Sequence, residues 1–175
     1  MRITTTEILA LLGVFLLFPV LGMATASETV ATLSYLGQAN LPRGMRNNNP
    51  GNIRKGSTPW QGKIPLGANT DGAFEQFAAY VYGIRAMIKN LQSYQRDRGL
   101  NTIQQIVSTW APAADNNDTA AYVAAVSMAT GIPPTAPIDT TDRATMRAII
   151  KAMTRVENGR DAVTDEQFNY AWTLL

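Results

Sequence analysis

The stretch Arg43-Gly44-Met45-Arg46-Asn47-Asn48-Asn49-Pro50-Gly51-Asn52-Ile53-Arg54 decides the fold of this 175-residue chain. It has very few apolar side chains, so it predicts neither a core strand nor a core helix. Asn, Pro and Gly at this density favour tight turns, because Asn side chains hydrogen-bond nearby backbone and tolerate left-handed geometry. Amides also donate to and accept from hydroxyl and acetamido groups, and the indole face of Trp60 just beyond could cover a sugar ring. The stretch therefore favours a carbohydrate site, with a plain turn-rich hairpin as the alternative.

The composition narrows the chemistry further. The net charge is +2 and the pI about 9.0, without a basic run, which fits an anionic surface such as a cell wall or membrane and gives no sign of nucleic-acid binding. The chain has no cysteine and no histidine. That excludes Ser-His-Asp and Cys-His hydrolases and His-ligated zinc enzymes. We expect no metal and no cofactor, and carboxylates must carry any proton chemistry.

The N-terminal segment 1–26 predicts a hydrophobic helix with two interpretations. Residues 8–26 carry no charge, and this length approaches that of a helix spanning a bilayer. Ala24-Thr25-Ala26 has the small-x-small form of a signal-peptidase site, which favours a removed leader. The segment is either a transmembrane anchor, with a lipid membrane as partner, or an export signal.

The rest of the chain predicts a linker over 27–41 and one domain over 42–175. Residues 43–77 indicate turns and short extended pieces, which form a small lobe that is either irregular or a β-hairpin. Five later segments have apolar residues at helical spacing, with expected boundaries at Asn101 or Thr102, at Asp118 or Thr119, at Asp139–Asp142, and at the Thr164 and Gln167 capping box. The predicted class is mainly α with a small hairpin lobe, an α+β fold.

Glu157 is the candidate catalytic carboxylate. It lies four residues after Met153, seven after Ile150, eight after Ile149 and eleven after Met146, and all four intervals return to one helical face. A carboxylate that continues an apolar stripe faces the core or the floor of a cleft, where burial favours its protonated form. A protonated carboxyl is what a glycosidase general acid requires. The alternative is a helix-end glutamate in solvent.

Two other acids are weaker candidates. Alternation in the segment 71–77 places Phe74 on one face and Glu75 on the other, so Glu75 is expected in solvent. Asp71 is expected to organise a turn. The loop Asp115-Asn116-Asn117-Asp118 lacks EF-hand spacing and predicts no calcium site.

Four blocks carry a family resemblance: residues 43–54; residues 74–77 leading to 82–86; Trp110-Ala111-Pro112 with the loop 115–122; and Ile149-Ile150 with Glu157-Asn158-Gly159. Together they resemble a phage family of virion-associated cell-wall-degrading proteins, described as lysozyme-like or lytic-transglycosylase-like. The resemblance covers 43–175 and implies a peptidoglycan-cleaving enzyme carried in the virion with other virion proteins. If 1–26 is retained, the protein would be membrane-associated in the virion; if cleaved, exported.

The turn block also resembles the Asn-Asn-x-x-Gly-Ile-Lys hairpin of flagellar-type glucosaminidases. There the acid-bearing helix precedes the hairpin, whereas here the helix of Glu157 follows it. A circularly permuted lysozyme-like arrangement is the resulting hypothesis. It predicts that Glu157 and Asn47–Arg54 meet across one cleft.

The resemblance implies a lytic transglycosylase in which Glu157 is the single acid, next to Asn158 as a substrate-binding residue. The other expected substrate-binding residues would hold acetamido, hydroxyl and carboxylate groups or stack on sugars: Arg46, Asn48, Asn49, Asn52, Arg54 and Trp60. A lysozyme-type hydrolase would need Asp71 or Glu75 as a second acid. An endopeptidase of the same fold, or a non-catalytic membrane-anchored protein that binds peptidoglycan, are the further alternatives.

Overall fold

The structure, a computed structural model, describes residues 25–175. The predicted N-terminal hydrophobic helix therefore lies outside the described residues. Within 25–175, no helix is both long enough and apolar enough to cross a membrane.

The described part of the chain is mainly helical, as the sequence predicted. Its helices are α1 (Ala26–Thr32), α2 (Arg43–Arg46), α3 (Tyr80–Arg98), α4 (Ile103–Trp110), a 3₁₀ turn (Ala113–Asp115), α5 (Thr119–Thr130), α6 (Arg143–Asn158) and α7 (Asp165–Thr173). Helices α3 to α7 are the five helices predicted from apolar spacing.

The helix boundaries have the predicted polar caps. The side chains of Thr102, Asp118 and Asp142 each accept a hydrogen bond from the first turn of α4, α5 and α6, and Thr164 and Gln167 form the predicted capping box of α7. These bonds satisfy backbone N–H groups that have no partner within the helix.

The core lies between α3 and the helices around it. The apolar stripe of α6 is fully buried, and α6 packs against α5 and α3, while α3 also packs against α7. Gly83 allows the closest approach: a Cβ there would clash with the backbone oxygen of Asn48. The polar turn block is thus pressed directly against the central helix.

The predicted hairpin lobe is reduced to two isolated antiparallel bridges, Arg54 with Phe74 and Lys63 with Phe77. Backbone hydrogen bonds flank each bridge, including Lys55 N–H to the Ala73 carbonyl oxygen at 2.9 Å and Ile64 N–H to the Gln76 carbonyl oxygen at 2.8 Å. Side-chain amides add to them. Asn49, for example, donates through Nδ2 to the carbonyl oxygens of Ile53 at 2.9 Å and Glu75 at 3.0 Å. The α+β prediction is corrected accordingly: within residues 25–175 the lobe has bridges but no regular strand, and backbone hydrogen bonds and polar side chains hold it together.

The segment predicted as a linker packs onto the domain. Helix α1 contacts α3 and α7, and the ring of Tyr35 meets that of Tyr80 edge-on with centroids 4.8 Å apart. The backbone N–H of Tyr35 donates to Asn48 Oδ1 at 2.8 Å. Residues 27–41 have no strong apolar periodicity, so the sequence pattern gave no sign that this segment is ordered against the core.

Candidate active site

The turn block has the left-handed geometry expected for asparagines. Asn48 and Asn52 have φ angles of 52° and 49°, values that few residues other than glycine and asparagine adopt readily. Asn48 Nδ2 donates to Ser34 Oγ at 2.7 Å and to the Phe77 carbonyl oxygen at 2.8 Å. Asn48 and Asn49 are both 0% exposed. Their amides bind the protein's own groups and face no cleft, which corrects their expected role as substrate-binding residues.

Glu157 accepts hydrogen bonds on both carboxyl oxygens. Oε1 accepts from Trp110 Nε1 at 3.0 Å and from the Tyr122 hydroxyl at 3.0 Å. Oε2 accepts from Asn52 Nδ2 at 2.9 Å. The residue is partly buried at the end of α6. The turn block and Glu157 therefore meet, as the sequence analysis predicted, and the carboxyl group is fixed in one orientation by three different elements.

Tyr122 is a site residue that the sequence analysis did not identify. Its position four residues before Val126 makes it part of the apolar stripe of α5, where it is indeed buried. Burial raises its pKa far above the ordinary range, and the charge of Glu157 and the hydrogen bond to it act in the same direction. The phenol therefore keeps its proton and can donate a hydrogen bond. A tyrosine inside an apolar stripe needs a buried partner for its hydroxyl, and this was the available signal.

Asn158 fastens the end of α6 to the turn block. Its Nδ2 donates to the Pro50 carbonyl oxygen and to the Thr154 carbonyl oxygen, both at 2.8 Å. It is only 8% exposed and does not line the cleft described below. Its expected role in substrate binding is corrected to a structural one, because both amide hydrogens are used within the protein.

An open cleft of about 460 Å³ lies beside Glu157. Three further predicted residues line it: Asn52, Arg54 and Trp60. Its other walls include aromatic side chains from the lobe, α3 and α4, namely Phe74, Tyr94 and Trp110. This mixture of aromatic faces, amides and a guanidinium suits a polar ligand with flat apolar faces, such as a sugar.

A second open depression, also about 460 Å³, shares Glu157 and Asn117 with the first. It runs between α5 and α6, lined by Tyr122, Ala125 and Val156 among others. The carboxyl group thus lies where two depressions meet. An extended ligand could pass over it rather than end at it.

Arg54 spans the mouth of the first cleft. Its side chain is 66% exposed and contacts Asp115 at 3.5 Å. Asp115 and Asn117 belong to the loop of the third resemblance block, in which the sequence analysis proposed no substrate-binding residue. Such an exposed pair contributes little to stability, so both groups can turn toward a ligand.

Arg46 and Asp71 lie elsewhere. Both line a separate shallow depression with Asn47. Asp71 accepts from Arg43 Nε and Nη2, both at 2.8 Å, and from Asn47 Nδ2 at 2.7 Å. The hydrogen bond from Arg43 is the largest cause of a lowered pKa for the Asp71 carboxyl. Asp71 thus organises a turn, as predicted, and lies outside the cleft, so the structure does not favour it as an alternative acid. Arg46 lies away from Glu157 as well.

Glu75 is buried, not exposed as predicted. It is 0% exposed, and its Oε1 accepts from Lys63 Nζ at 2.7 Å and from the Gly56 N–H at 2.9 Å. Lys63 also donates to the Gly56 carbonyl oxygen at 2.6 Å. The alternation argument failed because the loop 56–63 folds over the face that would otherwise be open to solvent. This ion pair holds that loop and does not reach the cleft.

Comparison with known proteins gives a clear relative. No protein-family model matches the chain. The chain is 37% identical over 155 residues to Protein P5 of Pseudoalteromonas phage PM2, an alignment that covers 83% of this chain and 93% of Protein P5. Identity of this extent over nearly the whole length of both proteins means that they share a fold. The chain belongs to the family of phage proteins that includes Protein P5 of phage PM2.

Proposed function

We propose that this protein is a peptidoglycan-degrading enzyme that cleaves the MurNAc–GlcNAc glycan strand during genome delivery, by a single-carboxylate lytic transglycosylase mechanism. The observation that carries the proposal is the position of Glu157. Its carboxyl group is held by Trp110, Tyr122 and Asn52 at the meeting point of two open depressions. A carboxyl fixed in this way is suited to protonating one atom of an extended ligand.

The reaction needs only one carboxyl group. Glu157 donates its proton to the glycosidic oxygen of the departing N-acetylglucosamine, and the bond from the anomeric carbon to that oxygen breaks. The 6-hydroxyl of the muramyl residue then attacks the anomeric carbon, and Glu157 takes the hydroxyl proton. The substrate supplies the nucleophile. The fold is consistent with a single catalytic acid, because Asp71 and Glu75 are hydrogen-bonded to Arg43 and Lys63 away from the cleft.

The cleft walls supply the expected contacts for a glycan. Trp60, Phe74 and Tyr94 line it, and their faces would cover sugar rings. The exposed guanidinium of Arg54 would bind the lactyl or peptide carboxylates of the muramyl residue. The lysozyme-like character of the fold, in a circularly permuted order, is part of the same proposal.

A lysozyme-type hydrolase is the second candidate function, and Asp115 is the observation that favours it. An inverting hydrolase needs a second carboxylate that activates water on the opposite side of the sugar. Asp115 lines the same cleft as Glu157. The two mechanisms leave different ends on the glycan, which makes them separable.

Membership of a phage protein family supports a place in the virion. We include membrane association through 8–26 in the proposal, together with other virion proteins as partners. Local opening of the cell wall by a virion-borne enzyme is the role that fits these features.

The test is digestion of purified sacculi by the full-length protein, with analysis of the products. Wild type should clear sacculi and leave 1,6-anhydromuramyl ends, while Glu157→Gln and Glu157→Ala should fall by about 10³-fold or more. Glu166→Gln, an exposed glutamate on α7, is the matched control and should retain activity. Circular dichroism of each variant checks that the fold is kept.

The products decide among the alternatives. Reducing muramyl ends would replace the transglycosylase by a hydrolase, and new peptide amino termini would indicate an endopeptidase. No clearing by wild type at high loading, with binding to sacculi retained, would mean that the protein only binds the wall. Full activity of folded Glu157→Ala would refute the assignment of the acid.

A further inference from the structure

The three donors that hold Glu157 differ in one chemical respect. The indole N–H of Trp110 and the amide group of Asn52 can only donate through the atoms that face the carboxyl. The hydroxyl of Tyr122 can both donate and accept. It also has a second acceptor within reach, because the Tyr122 hydroxyl oxygen lies 3.2 Å from the Met153 carbonyl oxygen.

This difference matters because a general acid must exist in two protonation states. When Glu157 is ionised, all three donors can point at its oxygens, at 2.9 Å to 3.0 Å. When Glu157 carries a proton, its carboxyl group is itself an O–H donor. A third fixed donor would then place its hydrogen against the carboxyl hydrogen. The Tyr122 hydroxyl can instead turn its hydrogen to the Met153 carbonyl and offer its oxygen to the carboxyl proton. The Glu157 carboxyl group and the Tyr122 hydroxyl then both keep their hydrogen bonds.

We propose that Tyr122 is a positioning residue whose hydroxyl alternates between the Glu157 carboxylate and the Met153 carbonyl as Glu157 loses and regains its proton. This inference rests on the proposed role of Glu157 as an acid. When the proton passes from Glu157 to the glycosidic oxygen, the Tyr122 O–H turns to Oε1, and the new negative charge gains a third donor. The tyrosine keeps its own proton throughout.

The surroundings leave this role to Tyr122. The other charged or titratable groups that line the two depressions around Glu157 are Tyr94 from α3, Arg54 paired with Asp115, and Asp118 at the start of α5. Arg155 on α6 pairs with Asp161 at the surface. Among the described residues, hydrogen bonds to the Glu157 carboxyl come from Trp110, Asn52 and Tyr122. Asn52 Nδ2 also donates to the Glu157 backbone carbonyl oxygen at 3.4 Å, but an NH₂ group cannot accept. Only the Tyr122 hydroxyl combines a second acceptor with the ability to accept a hydrogen bond itself.

The test follows the hydrogen bond of one tyrosine by ultraviolet resonance Raman spectroscopy, in which the tyrosine doublet distinguishes a donating from an accepting hydroxyl. The difference spectrum between wild type and Tyr122→Phe isolates Tyr122 among the six tyrosines. It should show a strong donor when Glu157 is ionised and an acceptor when it is protonated. The titration of Glu157 itself is followed by ¹³C NMR of glutamate-labelled protein, with its signal assigned by its absence in Glu157→Gln.

Tyr80→Phe is the matched control. Tyr80 is also buried, but its hydroxyl donates to the Ala162 carbonyl oxygen at 2.8 Å. A backbone carbonyl does not gain or lose a proton in the pH range in which Glu157 is titrated, so the difference spectrum of Tyr80 should not change with pH. If Tyr122→Phe does not fold, the change in the wild-type spectrum between a pH at which Glu157 is protonated and a pH at which it is ionised serves instead. This change must disappear in Glu157→Gln.

A Tyr122 signal that stays the same on both sides of the Glu157 titration would overturn the proposal, as would a change that persists in Glu157→Gln. Neither measurement uses peptidoglycan cleavage. Failure of the proposed function would therefore leave the Raman result standing, and failure of the Raman result would leave the cleavage assay unaffected.

Discussion

Gly44 lies where the two chain segments that form the site come closest. A Cβ built on Gly44 would lie 2.6 Å from Asn158 Oδ1, 3.0 Å from Asn52 Oδ1 and 3.0 Å from the Asn49 carbonyl oxygen. Both side-chain oxygens are buried and have no hydrogen-bond partner within residues 25–175. Gly44 has no side chain, so the space in front of these oxygens stays free. Gly44→Ala would drive a methyl group into this point.

The size of the effect follows from these distances. Forcing a methyl group into a packed site costs about 1–3 kcal/mol. If Asn52 and Asn158 move to relieve the contact, about two amide hydrogen bonds are lost, at about 1 kcal/mol each. Alanine is favoured over glycine in a helix by at most about 1 kcal/mol, and Gly44 lies in α2. We therefore expect Gly44→Ala to lower the free energy of unfolding by about 2–4 kcal/mol.

Urea unfolding of the full-length protein measures this change, and a double-mutant cycle tests its cause. Gly72→Ala, at a glycine with open space around it, should change the free energy of unfolding by less than about 0.5 kcal/mol. Asn158→Ala removes the nearest oxygen, so its cost and that of Gly44→Ala should be less than additive by about 1 kcal/mol. Wild-type stability in Gly44→Ala, or strict additivity in the cycle, would refute the reasoning.

Three further predictions concern charged groups of the described fold. Lys63→Met leaves the buried carboxylate of Glu75 without its cation, so it should lower the free energy of unfolding by about 3–5 kcal/mol, and adding Glu75→Gln should recover part of that loss. Asp71→Asn should lower the free energy of unfolding by about 1–3 kcal/mol at pH 7. The folded pKa of Asp71 lies below its ordinary value of 3.8, so wild type should lose this contribution progressively as the pH falls below about 4. The difference in melting temperature between wild type and Asp71→Asn should narrow over the same pH range. Glu157→Gln should lower the free energy of unfolding, measured in urea, by about 1–3 kcal/mol, because either orientation of its amide places an NH₂ group against a fixed donor. Equal stability of the two proteins would mean that the carboxyl is not held as described.

The helices could be predicted from the sequence because their signals are local. Apolar spacing and cap residues lie within one helix, and the predicted caps at Thr102, Asp118 and Thr164 all form. The same spacing placed Glu157 on the inner face of α6. A carboxyl that continues an apolar stripe must meet polar partners, although the stripe alone does not name them.

The turn block could not be predicted in the same way, because its burial depends on distant residues. Asparagines without apolar neighbours indicate an exposed turn, yet Asn48 is covered by Ser34 and the Phe77 carbonyl. Glu75 was misplaced for a similar reason, since the loop that covers it carries its cation, Lys63. In both cases polar side chains are buried because specific hydrogen bonds offset the cost of leaving water, and such pairings leave no periodic signal.

The contacts of residues 157 and 158 explain why the polar turn and the proposed acid are inseparable. Consecutive side chains at the end of α6 reach the same turn: Asn158 binds the Pro50 carbonyl oxygen, and Glu157 accepts from Asn52. The left-handed backbone of Asn52 aims its amide at the carboxyl, and Gly44 leaves room for both asparagine oxygens. Asn52 therefore orients the carboxyl, while Asn48 and Asn49 hold the lobe that carries Asn52. A chain that lost the turn would keep the glutamate but lose the hydrogen bond that fixes Oε2 of its carboxyl group.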